Sequence, residues 1–257
     1  MTPMEERRRN PWSGRVAVTG ASGALGSALC KGLQRRGATV IGISRSPAPQ
    51  TPQGDEDDPI QDWLVWNGHI DAALEALLLT VDVLVINHGV NPLGRRDAKA
   101  IAETLQANLV SAQDLIGLFL RQTHQLPDQR RVHRELWVNT SEAEVGPAFS
   151  PIYEVSKRSL GTLLTLQSLD APCIVRRLVL GPFRSGLNPY GPMSAGFVAE
   201  RILDLAAWDL RLIIVSFNPC TYLLAPLAMG MDALYGRLCT RPTTTNTQLN
   251  NKFNADP

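Results

Sequence analysis

Read as a pattern of apolar and polar positions, the chain alternates short apolar runs with longer amphipathic stretches. RVAVTG from Arg15 is followed by the helix-like ALGSALCKGLQRRG and then by ATVIGIS, with Gly37 closing the helix and β-branched residues opening the next run. Further strands are predicted at WLVW (63–66), VDVLVIN (81–87), ELWVNT (135–140), CIVRRLVL (173–180) and RLIIVSF (211–217), and helices near 70–79, 97–122, 151–169 and 195–208. Strands separated by helices require right-handed crossovers and a parallel sheet covered on both faces. The expected fold is therefore α/β: a Rossmann-like, doubly wound parallel sheet in three layers, forming a single domain over residues 14–217.

Several stretches stand outside that alternation. PAPQTPQGDEDDP at 47–59 carries four prolines and four acids and reads as a surface loop. Residues 1–13 read as a loose basic arm, 218–240 as an apolar helical segment, and 241–257 as a disordered tail with almost no apolar content. Residues 212–231 run for twenty positions without a charge, but Asn218, Pro219 and Pro226 interrupt them, and the first third is better used as the last strand. A spanning helix is not expected. A covered apolar face at 219–238 is, with the protein's own core, a second subunit or a membrane surface as the cover.

Composition narrows the functional classes. A length of 257 residues suits one α/β domain, and Lys+Arg 25 against Asp+Glu 24 leaves a net charge of +1, which argues against nucleic acid as the main partner. Cys30, Cys173, Cys220 and Cys239 are far apart and form no CxxC pair, so no metal site and no disulfide framework is expected. Reduced thiols and a charged start with no following apolar stretch place the expected location in the cytoplasm.

The candidate chemistry begins at the first strand-to-helix turn, TGASGALG, which contributes Thr19, Gly20, Ser22, Gly23, Ala24, Leu25 and Gly26. Glycines there let the backbone approach a pyrophosphate, whose charge meets the N–H groups and dipole of the helix N-terminus. After the second strand, where an NAD site has an acid, the chain has Ser44 and Arg45. The planar fork of Arg45 suits a 2′-phosphate, so NADP(H) is expected in preference to NAD(H). Further on, IYEVSK sets Tyr153 and Lys157 four residues apart, on one face of a helix.

Taken in order, TGASGALG, INHGV at 86–90, Asn108, WVNTS at 137–141 and the Tyr153/Lys157 pair resemble the short-chain dehydrogenase/reductase family over roughly residues 14–217. The resemblance implies Tyr153 as the acid-base group. It further implies Lys157 lowering the phenol pKa and holding the nicotinamide ribose, Ser141 bonding the substrate oxygen, and Asn108 supporting a water chain to Lys157. Asn87, His88 and Gly89 would border the cofactor. LGPFRS at 180–185 resembles the loop at the nicotinamide amide, with Gly181, Pro182, Phe183 and Ser185 placed there and the proline-glycine order disturbed. Departures accompany the likeness. Ser141 stands twelve residues before Tyr153 where the family's serine commonly stands thirteen, which leaves Thr140 as reserve. Glu142 takes the second place of the usual Ser-Ser, and His88 replaces an alanine and is expected to pack beside the cofactor. The TGxxGxxG spacing is more usual in longer members that include epimerases and dehydratases.

The expected function is NADP(H)-dependent interconversion of a carbonyl and a secondary alcohol on a small or lipid-like molecule. The alternatives are a nicotinamide-retaining epimerase or dehydratase and a non-catalytic nucleotide-binding protein. A homodimer or homotetramer is expected from the resemblance and from Leu115, Leu118, Phe119, Leu160, Leu163 and Leu164 on the helices near 100–120 and 151–169.

Overall fold

The structure, a computed structural model, describes residues 12, 14–46, 60 and 62–241. The expected arm and tail and the loop at 47–59 lie almost wholly outside the described residues. Seven strands, β1 (Arg15–Thr19), β2 (Thr39–Ser44), β3 (Asp62–Val65), β4 (Val83–Ile86), β5 (Glu135–Asn139), β6 (Ile174–Leu180) and β7 (Leu212–Val215), form one sheet in the order β3-β2-β1-β4-β5-β6-β7. Every neighbouring pair is parallel. The order reverses between β1 and β4, which opens a crevice at the carboxyl ends of those strands.

The helices are α1 (Ala24–Arg35), α2 (Ala72–Thr80), α3 (Ala98–Leu105), α4 (Ser111–Gln125), α5 (Asp128–Arg131), α6 (Pro151–Ser168), α7 (Ala195–Ala207) and α8 (Pro219–Cys239). The helix expected at 97–122 is interrupted: a π turn at Gln106–Val110 joins α3 to α4. Two cores result because successive strand residues face opposite sides. Val16 and Val18 pack beneath α1 and α7 with Leu29, Leu33 and Ile202, while Ala17 and Leu84 pack on the other face with Leu115, Phe119 and Leu160 from α4 and α6. Each such fully buried aliphatic side chain contributes roughly 1.5–3 kcal/mol. Of the six residues read as an assembly face, five are buried in this second core and only Leu163 is exposed, so they no longer argue for an oligomer.

β6 carries two buried arginines side by side, which alternation sends to opposite faces. Arg176 meets Glu135 at 2.7 Å and Asp209 at 2.8 Å, and Arg177 is paired with Glu144. A buried guanidinium needs such an answer, since an unpaired charge in the core is strongly destabilising.

Candidate active site

At the phosphate end of the crevice, Gly20 sits at φ +65° and a Cβ there would stand 3.0 Å from the backbone of His88. A Cβ on Gly26 would overlap the Gly20 carbonyl. The turn is thus pressed between the loop after β4 and the start of α1, leaving room for backbone only. No side chain caps α1 at Gly23 and no acid stands in its first turn, which leaves its N-terminus open to an anion. The Ser22 and Ser44 hydroxyls share a 2.9 Å hydrogen bond across β1 and β2, and Arg45 is exposed just beyond. This donor set and cradle fit a dinucleotide.

Thr19 ties the turn to the loop after β4. Its hydroxyl accepts from the Asn87 N–H at 2.9 Å and the His88 N–H at 3.3 Å, and lies 2.8 Å from His88 Nδ1. The other ring nitrogen lies 3.0 Å from Ser111 Oγ, whose hydroxyl donates to the Ala107 carbonyl. With the Ser111 proton on Ala107, Nε2 is the donor of the neutral ring, and Nδ1 competes for the Thr19 proton with the Val85 carbonyl, 3.3 Å from that hydroxyl. Burial pushes the His88 pKa down to about 3, helped by the charges of Lys157 and Arg45. The ring packs edge-on to Trp66 at 5.0 Å. His88 therefore braces the crevice wall as an uncharged ring near neutral pH.

The start of α6 is built to present Tyr153 and Lys157. Pro151 lies in its first turn, Ser150 donates to Asn91 Oδ1 at 2.8 Å, and Glu154 reaches back to accept from the Ala148 N–H at 2.8 Å. One turn on, the Lys157 ammonium donates to the Asn139 carbonyl at 3.1 Å and lies 5.7 Å from the centre of the Tyr153 ring. Asn139 in turn donates through its side chain to Asn87 Oδ1 at 2.9 Å. The Ser141 hydroxyl, close enough to the phenol to act on its proton, accepts from the Ala143 N–H at 3.2 Å and donates to the Leu180 carbonyl at 3.5 Å, while Thr140, 2% exposed, donates to the Leu178 carbonyl at 3.1 Å. Burial raises the Tyr153 pKa, hydrogen bonding with Ser141 opposes the rise, and the Glu144 carboxylate adds to it. Burial lowers Lys157 to about 8, with Glu144 acting in the other direction.

Asn108 sits in the π turn, a backbone irregularity frequent at functional sites. Its Oδ1 accepts from the Val90 N–H at 2.7 Å, and its amide donates to the Val90 carbonyl at 2.9 Å and to Ser156 Oγ at 3.0 Å. In this structure it clamps the loop after β4 to α6 one residue from Lys157. The loop after β6 is also internally bonded. Gly181 N–H donates to the Val215 carbonyl at 2.9 Å, Phe183 pairs with Met193, and the Ser185 hydroxyl accepts from the Leu187 N–H at 3.2 Å. Pro182 lies between them.

Two acids that the sequence reading did not assign organise the turn Glu142–Glu144. Glu142 accepts from Ser216 at 2.5 Å and from Thr221 in the first turn of α8 at 3.3 Å, which accounts for an acid where a second serine is usual. Glu144 is locked to Arg177, which also donates to Thr165 at 3.0 Å. Gly161 makes room for that pair, since a Cβ there would overlap both partners. The available signal was the double arginine inside an apolar strand.

Comparison with known proteins agrees with this geometry. A family model described as the NAD dependent epimerase/dehydratase family matches residues 16–156. A monoglucosyldiacylglycerol epimerase from Synechocystis sp. is 46% identical over 230 residues, covering 88% of this chain and 55% of that protein, so the chain spans about half the length of this relative. Among solved structures, a bulky-bulky ketone specific alcohol dehydrogenase from Comamonas testosteroni superposes with TM-score 0.69 at 16% identity, covering 90% of this chain and 96% of that one. A short-chain dehydrogenase from Burkholderia cenocepacia in complex with NADP gives TM-score 0.67 at 17% identity, covering 89% and 98%. The fold is that of the short-chain dehydrogenases/reductases. With more than half of its residues under that model, the chain belongs to the NAD dependent epimerase/dehydratase family, as a Rossmann-fold NAD(P) enzyme.

Proposed function

We propose that the chain is a nicotinamide-retaining epimerase that inverts one carbinol carbon of a sugar carried on a lipid, with NADP(H) as its cofactor. The observation that carries the reading is the 46% identity to a monoglucosyldiacylglycerol epimerase. Net interconversion of a carbonyl and an alcohol, the primary expectation from sequence, shares the first half of this chemistry but not its return step.

The turn at Gly20–Gly26, Ser44 and Arg45 would hold the dinucleotide, with Arg45 on the 2′-phosphate. When bound, its oxidised nicotinamide supplies a hydride acceptor and donor and a positive charge beside the phenol. Tyr153 takes the proton of the carbinol hydroxyl as the carbon becomes a ring ketone and returns it when the carbon is reduced on its other face. No net oxidation remains. Ser141 holds the same oxygen throughout. In the chain alone, burial and Glu144 keep Tyr153 protonated, so its work as a base depends on the positive charges near it, of which Lys157 is the chain's own.

The test is to denature purified protein, assay the supernatant for nicotinamide, and incubate folded protein with monoglucosyldiacylglycerol without added cofactor. Retained NADP(H) and an epimeric headgroup sugar are expected. Cofactor-free protein that turns over only with added NADPH, giving a net reduced product, would overturn the reading.

A further inference from the structure

α8 is turned inside out relative to an ordinary surface helix. Its small residues face the protein: Thr221, Ala225 and Gly236 are buried, and a Cβ on Gly236 would stand 2.6 Å from Leu166 of α6. Its bulky residues face outward. Leu223, Leu227, Met231, Leu234 and Leu238 recur at steps of four, four, three and four and are 70%, 56%, 64%, 61% and 77% exposed. In a helix of about 3.6 residues per turn they form one stripe, with the exposed Tyr235 on its flank.

A continuous apolar stripe of this length marks an interaction surface, and the charges beside it choose the occupant. Arg237 lies on the exposed side of α8, Arg211 at the start of β7, and Arg241 just past the helix; among the described residues none of the three has a carboxylate partner. Arg211 and Arg237 also line a groove of about 400 Å³ whose walls include Leu169 and Met229. The one acid of α8, Asp232, accepts from Thr162 of α6 at 3.1 Å. A second copy pairing through its own α8 would offer these arginines no acid from the stripe, since Asp232 is the one acid of the helix and is turned inward to Thr162. An anionic bilayer answers all three. Among the described residues no helix is long and apolar enough to cross a membrane, so the helix lies on the surface.

We propose that α8 docks the protein onto an anionic lipid surface, its leucine stripe at the boundary of headgroups and acyl chains and Arg211, Arg237 and Arg241 against lipid phosphates. The inference stands on α8 and is independent of the epimerase reading. Its consequence for the site follows from Glu142, which joins the first turn of α8 to the Glu142–Glu144 turn and so fixes the cleft relative to the docked helix.

The experiment uses the full chain with phosphatidylglycerol/phosphatidylcholine vesicles and with pure phosphatidylcholine vesicles, read by flotation and by amide hydrogen exchange. Anionic vesicles should bind at least about tenfold more tightly than neutral ones, with new protection over 222–238. Leu227→Glu with Leu234→Glu should weaken binding at least about tenfold, and Arg211→Gln, Arg237→Gln and Arg241→Gln together should remove the preference for anionic lipid. Nucleotide binding and sedimentation mass check that each variant is folded. Should the Glu variant not fold, exchange on the unmodified chain decides alone. Absence of wild-type binding to anionic vesicles, or a dimer that the Glu variant splits with no vesicle binding, would overturn the proposal.

Discussion

Replacing Lys157 with Met should stabilise the protein at neutral pH far more than at alkaline pH while abolishing turnover. Lys157 is 4% exposed, and burial lowers its pKa from 10.5 to about 8. The folded chain therefore binds fewer protons than the unfolded chain between pH 8 and 10.5. Stability of the unmodified protein must rise with pH through that window: the cost of burying the ammonium is full below the folded value and vanishes above the unfolded one. A depression from 10.5 to about 8, at about 1.4 kcal/mol per unit, amounts to ~3 kcal/mol. The methionine variant lacks this dependence. It also loses the hydrogen bond to the Asn139 carbonyl, at about 1 kcal/mol, but that loss is common to both pH values and cancels in the difference. Urea unfolding of cofactor-free protein should thus place the variant, relative to the parent, about 3 kcal/mol higher at pH 7.5 than at pH 10.5. A difference that stays flat across the window would show that Lys157 is not a buried ammonium, and the electrostatics assigned to the Tyr153 site would fail with it.

Ser141→Ala should lower turnover about a hundredfold and cost about 1 kcal/mol in unfolding through its lost bond to the Ala143 N–H, whereas Thr140→Ala should cost about 1–3 kcal/mol in unfolding with turnover nearly kept; the opposite ranking in kcat would move the catalytic hydroxyl to Thr140. Arg45→Asp should weaken NADPH binding far more than NADH binding in fluorescence titration, and equal losses would refute its assignment to the 2′-phosphate. Gly161→Ala should destabilise the fold by about 3 kcal/mol because it drives apart the Glu144–Arg177 pair; an unchanged urea midpoint would mean that the pair does not hold the Glu142–Glu144 turn.

The sheet was legible because parallel strands buried on both faces read as unbroken apolar runs between turn residues, and all seven lie where the runs do. Part of the site was legible too. The spacing of Gly20, Gly23 and Gly26 raised the epimerases, the family model that matches. The choice between Ser141 and Thr140 was left open by the sequence, and both hydroxyls donate to carbonyls of β6, Thr140 to Leu178 and Ser141 to Leu180. What escaped was pairing across distance. Glu144 meets Arg177 from 33 residues away and Glu142 meets Thr221 from 79 residues away, between elements that become neighbours only in the folded sheet. The π turn around Asn108 carries no composition of its own, since it is a choice of backbone partner. The apolar residues of α4 and α6 read as an assembly face are buried, all but Leu163, because the helical layer covers more than one stripe per helix. On α8 an equally apolar sequence stays exposed, because small residues occupy its inner seam.

The most direct test of the central claim follows the hydrogen of the inverted carbon. Monoglucosyldiacylglycerol deuterated at its ring carbinol carbons is incubated with the purified protein and no added cofactor, with absorbance of reduced nicotinamide recorded throughout. An epimeric headgroup that keeps its deuterium at the inverted carbon is expected, with no net change in reduced nicotinamide and no conversion by Tyr153→Phe. Stoichiometric accumulation of reduced nicotinamide with a keto product, or an epimer that has exchanged its label for solvent hydrogen, would contradict it.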